Sequence, residues 1–244
     1  MKSVKLHPFL VVVVVVSVFV FVYSGTIINI FHAGKLNVNG NINSNGNSHS
    51  NSNTGVTFSH VDELLSHVEE EFKGNCGRIL RGELFSYSQA WQDWVLYHNY
   101  FRDRKWGDGF YLDIGTNNAI VISNTFFFDK CLGWRGICAE PQKRYHELIK
   151  KTRTCELVKS CVMGRTTNVE VRSSSSSQSF KKTNRTTGTQ CVGFKELQQK
   201  YNFDKVDVVS IDIEGAEPHV LGCYPFDDVD TQLFLVETNK QETR

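Results

Sequence analysis

Acids recur at Asp113, Glu140, Asp212, Glu214 and Glu237, and each closes or just follows a short apolar run: GFYLDIG (109–115), GICAEP (136–141), VDVVSIDIEG (206–215) and TQLFLVETN (231–239). An acid after one such run is commonplace. Repeated over several parallel strands, it concentrates negative charge on the edge where the strand C-termini lie. That edge suits a ligand that is cationic or rich in hydroxyl groups.

S-adenosylmethionine is both, with a sulfonium, an α-ammonium and a ribose diol. The turn Asp113-Ile114-Gly115-Thr116-Asn117-Asn118 lets backbone approach such a cofactor at Gly115. Asp113 is placed to hold the ammonium, directly or through water. Glu140 lies 25 residues beyond Gly115, where a carboxylate can accept from both ribose hydroxyls. The competing roles are structural: a turn cap for Asp113 and a charge at the next helix N-terminus for Glu140. The turn has neither G-x-G-x-x-G nor G-x-x-x-x-G-K, which lowers the dehydrogenase and NTPase readings. Asp212 is the first candidate for a general base, followed by Glu214 and Glu237. Each could instead order a loop by accepting backbone N–H bonds. No metal is expected, and no C-x-x-C pair suggests zinc.

The elements that position these residues read as strands alternating with helices. The runs above, with CELVKSCVM (155–163), are five strands. Helices are expected over Ser123–Cys131, ending at Gly133, through KRYHELIKK after Pro141, and near Phe194–Tyr201. That alternation implies a mostly parallel sheet with helices on both faces. Upstream, Ser59–Lys73 and Tyr87–Phe101 have helical apolar spacing. Trp91, Trp94, Val95, His98 and Phe101 form a core stripe, with His98 a hydrogen-bonded core histidine. VRSSSSSQSFKKTNRTTGTQ (171–190) reads as a mobile surface loop carrying the glycosylation pattern Asn184-Arg185-Thr186.

The segments YSQAWQD, YLDIGTNN, SNTFFFDKCLGWRGICAEP, VVSIDIEGAEPHVL and LFLVETN occur in this order from Tyr87 to Asn239. In that combination the chain resembles the FkbM-type methyltransferase family. The resemblance implies a Rossmann-like fold of the class I methyltransferase type and methyl transfer from S-adenosylmethionine to a hydroxyl, often of a sugar or glycosylated small molecule. By position it implies that Asp113, Gly115, Asn117 and Glu140 bind cofactor, that Ser123 and Asn124 open the helix beside it with Thr125, and that Asp212, Glu214 and Glu217 lie in the second signature segment. Asn118 and Ala119 depart from the acid and glycine usual there. The chain also stops at Arg244, just past the fifth strand, so the expected sheet lacks its last two strands and leaves an open edge.

The 244 residues carry a formal charge of +1, which gives no basic surface for nucleic acid. Pro8–Phe31 is free of charge and long enough for a bilayer, which needs about 20 apolar residues. Lys2 and Lys5 precede it, so the sequence divides into a cytosolic tail (1–7), a transmembrane signal-anchor helix (8–31), an Asn/Ser/Gly-rich stalk (32–58), a short helix and linker (59–84) and the enzyme domain (85–244). The domain is then luminal, in the Golgi or endoplasmic reticulum. Cleavage near Ser24-Gly25 would make it secreted instead. Seven cysteines fit disulfides in a luminal domain or buried thiols otherwise, and an odd one is left over. Two rival functions stand beside the methyltransferase: a catalytically degenerate binding or scaffold domain, and a Golgi-type glycosyltransferase using Asp228-Val229-Asp230.

Overall fold

The computed structural model describes residues 10–15, 18–23, 26–31, 58–173, 178–182 and 189–238. In chain order the elements are β1 (Leu10–Val15), β2 (Val18–Tyr23), β3 (Thr26–Phe31), α1 (Phe58–His67), α2 (Glu70–Leu80), α3 (Gln92–Leu96), β4 (Phe110–Ile114), α4 (Phe126–Lys130), β5 (Arg135–Ala139), α5 (Lys143–Thr152), β6 (Glu156–Val158), β7 (Cys161–Met163), β8 (Thr167–Ser173), β9 (Gln178–Lys182), β10 (Thr189–Gly193), α6 (Phe194–Tyr201), β11 (Lys205–Ile211), α7 (Glu217–Leu221) and β12 (Asp230–Thr238). A π-helical turn, Tyr97–Phe101, continues α3.

The main sheet runs β3-β2-β1-β12-β11-β4-β5-β6. From β12 to β6 every pairing is parallel. Strand order reverses at β4: the chain first moves outward to β5 and β6, then returns to β11 and β12. Such a switch point is where open α/β sheets bind ligands, outside the strand C-termini. Alternation along each strand divides the core. Tyr111, Cys138, Val208, Leu233 and Leu235 pack with α1, α2 and the buried Phe126-Phe127-Phe128 of α4. Leu112, Ile114, Ile137, Ala139, Val209, Phe234 and Val236 pack with α6 and α7. Both faces are covered, so these strands read as continuous apolar runs rather than alternating ones. Gly133, at φ 66°, takes the left-handed conformation expected beyond α4.

Several expectations are corrected. The run 155–163 is two strands in different sheets, because the chain turns at Ser160, whose hydroxyl donates to the Gln190 carbonyl of β10. The expected loop 171–190 instead contributes β8, β9 and β10 to a second sheet ordered β7-β10-β8-β9; Asn184 lies outside the described residues. The helix expected from Tyr87 begins only at Gln92. Asp93 takes the backbone N–H groups of Tyr87 and Ser88 and the hydroxyls of Ser86 and Ser88, which holds that stretch as a turn. Trp91 is exposed, outside the core stripe. His98 is bonded to the Ile79 carbonyl, as expected of a core histidine. The helix over Ser59–Lys73 is α1 followed by a break and α2.

The helix expected over 8–31 is not the form found. Residues 10–31 contribute three strands, with β1 parallel to β12 on the edge expected to be open, and β2 and β3 antiparallel beyond it. A valine-rich run has high strand propensity in water, and an unpaired edge offers it backbone partners. No described helix is long and apolar enough to cross a membrane.

Three disulfides form, Cys76–Cys131, Cys138–Cys155 and Cys161–Cys191, and Cys223 is left free and exposed. Cys76–Cys131 fastens α2 to the end of α4 across a separation of 55 residues. Replacing both cysteines by alanine is expected to lower the unfolding free energy by about 2–5 kcal/mol. Denaturant titration of the oxidised chain checks this; an unchanged midpoint would show that packing alone seats α2.

Candidate functional site

The site is built where β4 and β11 diverge. Gly115 has φ 90°, and a Cβ there would lie 2.0 Å from the Asp212 carbonyl oxygen. Only glycine permits this backbone approach. The Asp212 N–H donates to the Ile114 carbonyl at 3.0 Å, and the Gly115 N–H donates to Ala139 at 2.9 Å. The turn is thereby stitched to β11 on one side and β5 on the other.

Asn117 also adopts a left-handed conformation, φ 52°, and its N–H donates to Glu140 Oε2 at 2.7 Å. The Gln142 N–H donates to Glu140 Oε1 at 2.6 Å. Burial pushes the Glu140 pKa up, opposed by these two backbone bonds. Glu140 therefore performs the structural task of tying the turn to the start of α5. Each oxygen still has a second acceptor direction for a hydroxyl.

Behind the turn lies a buried network that the sequence reading missed. Arg153 is fully buried. Its Nε donates to Asp129 at 2.7 Å, and its Nη2 to the Tyr111 hydroxyl at 3.0 Å and to Thr125 Oγ1 at 2.7 Å. Its Nη1 reaches Ser123 Oγ at 3.2 Å and the Ala119 carbonyl at 3.4 Å. Asp113 is buried too, accepting from Thr125 Oγ1 at 2.6 Å and lying 3.8 Å from Arg153. Burial raises its pKa, with Arg153 opposing. Ser123 accepts from the Phe126 N–H, so it starts α4, and Asn124 donates to Ser210 on β11 at 3.2 Å. In a KKTRTC context Arg153 reads as one more basic residue at a helix end; nothing local marks it as buried.

Asp212, Glu214 and Glu237 come together, with carboxylate oxygens within 4.8 Å of one another. That spacing lets them share a proton or bridge a cation, which the sequence reading had not foreseen. The Asp212 pKa is pushed up to about 9, first by burial, then by its hydrogen bond to Glu237 and the charges of Glu237, Glu214 and Asp113. Like charges this close cannot all ionise. In the ligand-free chain Asp212 thus holds a proton through neutral pH, in the hydrogen bond it makes to Glu237. Glu237 Oε2 is buried with no hydrogen-bond partner. Glu214 sits at φ 58°, and burial raises its pKa ahead of the charges of Glu237 and Glu217. Glu217 is a loop anchor: its Oε1 accepts from the Ile213 and Gly215 N–H groups. Asp228 and Asp230 lie at the opposite, N-terminal end of β12.

A carboxyl whose pKa is raised on folding binds more protons in the folded than in the unfolded state. Its contribution is present at low pH and lost as pH rises through the folded value. Stability should therefore decline from about pH 4 to about pH 9 because of Asp212. Asp212→Asn should flatten that decline and stabilise the chain at pH 8. Urea titrations at several pH values test this; a mutant with wild-type pH dependence would place the raised carboxyl elsewhere.

No curated protein and no solved structure matches the chain significantly. Residues 113–244, which are 132 of the 244, match the profile of the methyltransferase FkbM domain. That stretch starts at the acid near the end of β4 and contains the whole switch-point turn, the Arg153 network apart from Tyr111, and the Asp212, Glu214 and Glu237 cluster. With more than half of its length matched, the chain belongs to the FkbM methyltransferase domain family.

Proposed function

We propose that this chain transfers a methyl group from S-adenosylmethionine to a hydroxyl oxygen of a sugar or glycosylated small molecule. The observation that carries the reading is the acidic edge at the switch point, where Asp113, Glu140 and the Asp212–Glu237 pair flank the Gly115 turn. Clustered carboxylates with an orphaned buried acceptor, Glu237 Oε2, fit a cationic, hydroxyl-bearing cofactor. Asp113 lies on the side of the ammonium, and Glu140 has acceptor directions left for the ribose. The sulfonium supplies an already reactive methyl. The chain's task is alignment of the acceptor oxygen and removal of its proton. Asp212 and Glu237 are the groups to receive that proton. An approaching cation lowers the raised Asp212 pKa and readies that carboxyl as a base.

Calorimetric titration with S-adenosylmethionine tests the reading directly. Binding is expected with cofactor alone; binding only of a nucleotide sugar with manganese would favour a glycosyltransferase, and binding of neither a degenerate scaffold. Asp212→Asn should then reduce turnover by roughly 10²–10⁴-fold, with cofactor affinity changed far less. Turnover within a few-fold of wild type would move the base to Glu237 or Glu214.

The setting we propose is a luminal domain on a single-pass anchor with its N-terminus in the cytosol. Three disulfides suit an oxidising compartment. In a bilayer the apolar run 8–31 would be satisfied as a helix. Protease treatment of sealed microsomes should leave the domain intact until detergent is added. Digestion without detergent would rule out the luminal side.

A further inference from the structure

We propose that Arg153 is the positioning residue of the methyl-donor site: it holds the loop 117–124 and the Asp113 carboxyl in the geometry that receives the cofactor. This rests on the cofactor reading above and adds to it a residue that touches no ligand.

The loop cannot hold itself. Asn117 and Ile122 both have positive φ, 52° and 55°. A β-branched residue there is a genuine outlier, kept only where the surroundings over-determine it. Ala119 is buried in the core, but Ile122 is 54% exposed and Val121 62%, so packing does not constrain the strained end of the loop. Hydrogen bonds do. Asn118 Oδ1 accepts from the Ile120 and Val121 N–H groups, which shapes the turn locally. The loop's two ends are tied by Asn117 to Glu140 and by Asn124 to Ser210; between them, Arg153 Nη1 spans the strained stretch from the Ala119 carbonyl to Ser123 Oγ. On its other arm, Nη2 shares Thr125 Oγ1 with Asp113. The same guanidinium thus sets the loop and orients the acid.

The arrangement also divides charge unevenly. Asp129 is saturated by the Arg153 Nε, the Tyr111 hydroxyl and both the N–H and hydroxyl of Thr154. Asp113 receives the hydroxyls of Thr125 and Thr116 and only a 3.8 Å approach from Arg153. Two carboxylates facing one guanidinium leave negative charge uncompensated on the Asp113 side, which is the side of the turn. An arriving cation completes the set. A planar fork with five donors is needed for this geometry, and an ammonium cannot reproduce it.

The test is cofactor affinity in the full chain, by calorimetry at temperatures well below each variant's melting point. Arg153→Met should weaken S-adenosylmethionine binding at least tenfold while the protein remains folded, and Arg153→Lys should recover part of the loss. Thr154→Ala, which removes a bond to Asp129 away from the turn, should lower the melting temperature and leave affinity unchanged. A folded Arg153→Met with wild-type affinity would overturn the proposal. Loss of affinity in Thr154→Ala as well would also overturn it, because general loosening would then suffice. If Arg153→Met does not fold, Thr125→Val cuts only the hydroxyl joining Arg153 to Asp113; unchanged affinity there overturns the proposal equally. Wild-type protein that fails to bind the cofactor overturns the methyl-donor reading itself, an outcome distinct from the others.

Discussion

A guanidinium shut away from water is tolerable only if every donor finds an acceptor and its charge finds a partner. Arg153 meets both conditions by drawing together pieces of chain that are remote in sequence. Tyr111 comes from β4, Asp129 from α4, and Ala119, Ser123 and Thr125 from the segment between them. Burial works against the charge, but Tyr111, Asp129 and Asp113 outweigh it and hold the Arg153 pKa above its ordinary value. The Cys138–Cys155 bridge sits beside this network: Cys155 follows Arg153 by two residues, and Cys138 precedes Glu140 by two. The covalent link and the ionic one therefore brace the same junction, between the strand that carries Glu140 and the connector that carries Arg153.

The two sides of the switch point use opposite electrostatic solutions. On the Arg153 side, Asp129 is buried and fully compensated, so its work is structural. On the Asp212 side no described cation pairs with the cluster, and the strain is relieved by a retained proton. The Gly115 turn separates the two regimes. It can be so thin because a backbone carbonyl, that of Asp212, stands where any side chain would have been.

Much of this architecture was legible in the residues. Strands buried on both faces leave continuous apolar runs, and β4, β5 and β12 fall within a residue or two of the runs that announced them, while β11 ends at Ile211, four residues short of its run. Their terminal acids were legible for the same reason, being polar residues at the end of an apolar stretch. What escaped notice depends on partners far away in sequence. Arg153 looks like a solvated helix end until Asp129 and Tyr111 are placed around it. Tyr87–Trp91 has helical spacing, yet Asp93 captures its N–H groups. Strands β8, β9 and β10 are poor in apolar residues and form through pairing in series from β7, β10 on β7, β8 on β10 and β9 on β8. Glu140 was legible as a functional position, whereas its two backbone bonds required knowing where the turn folds back.

The cluster of Asp212, Glu214 and Glu237 bears on how a reaction here would end. Methylation of a hydroxyl turns a sulfonium into an uncharged thioether and liberates a proton. That proton would have a seat on the carboxyl cluster, so two changes would coincide: the ligand would lose its sulfonium charge while keeping its α-ammonium, and the edge would lose a negative charge. The share of the attraction owed to the sulfonium would thereby be cancelled by the act of transfer. Departure of the spent cofactor would then be driven by the chemistry itself, with no moving lid required, and the edge would regain its grip only after the proton had escaped to solvent.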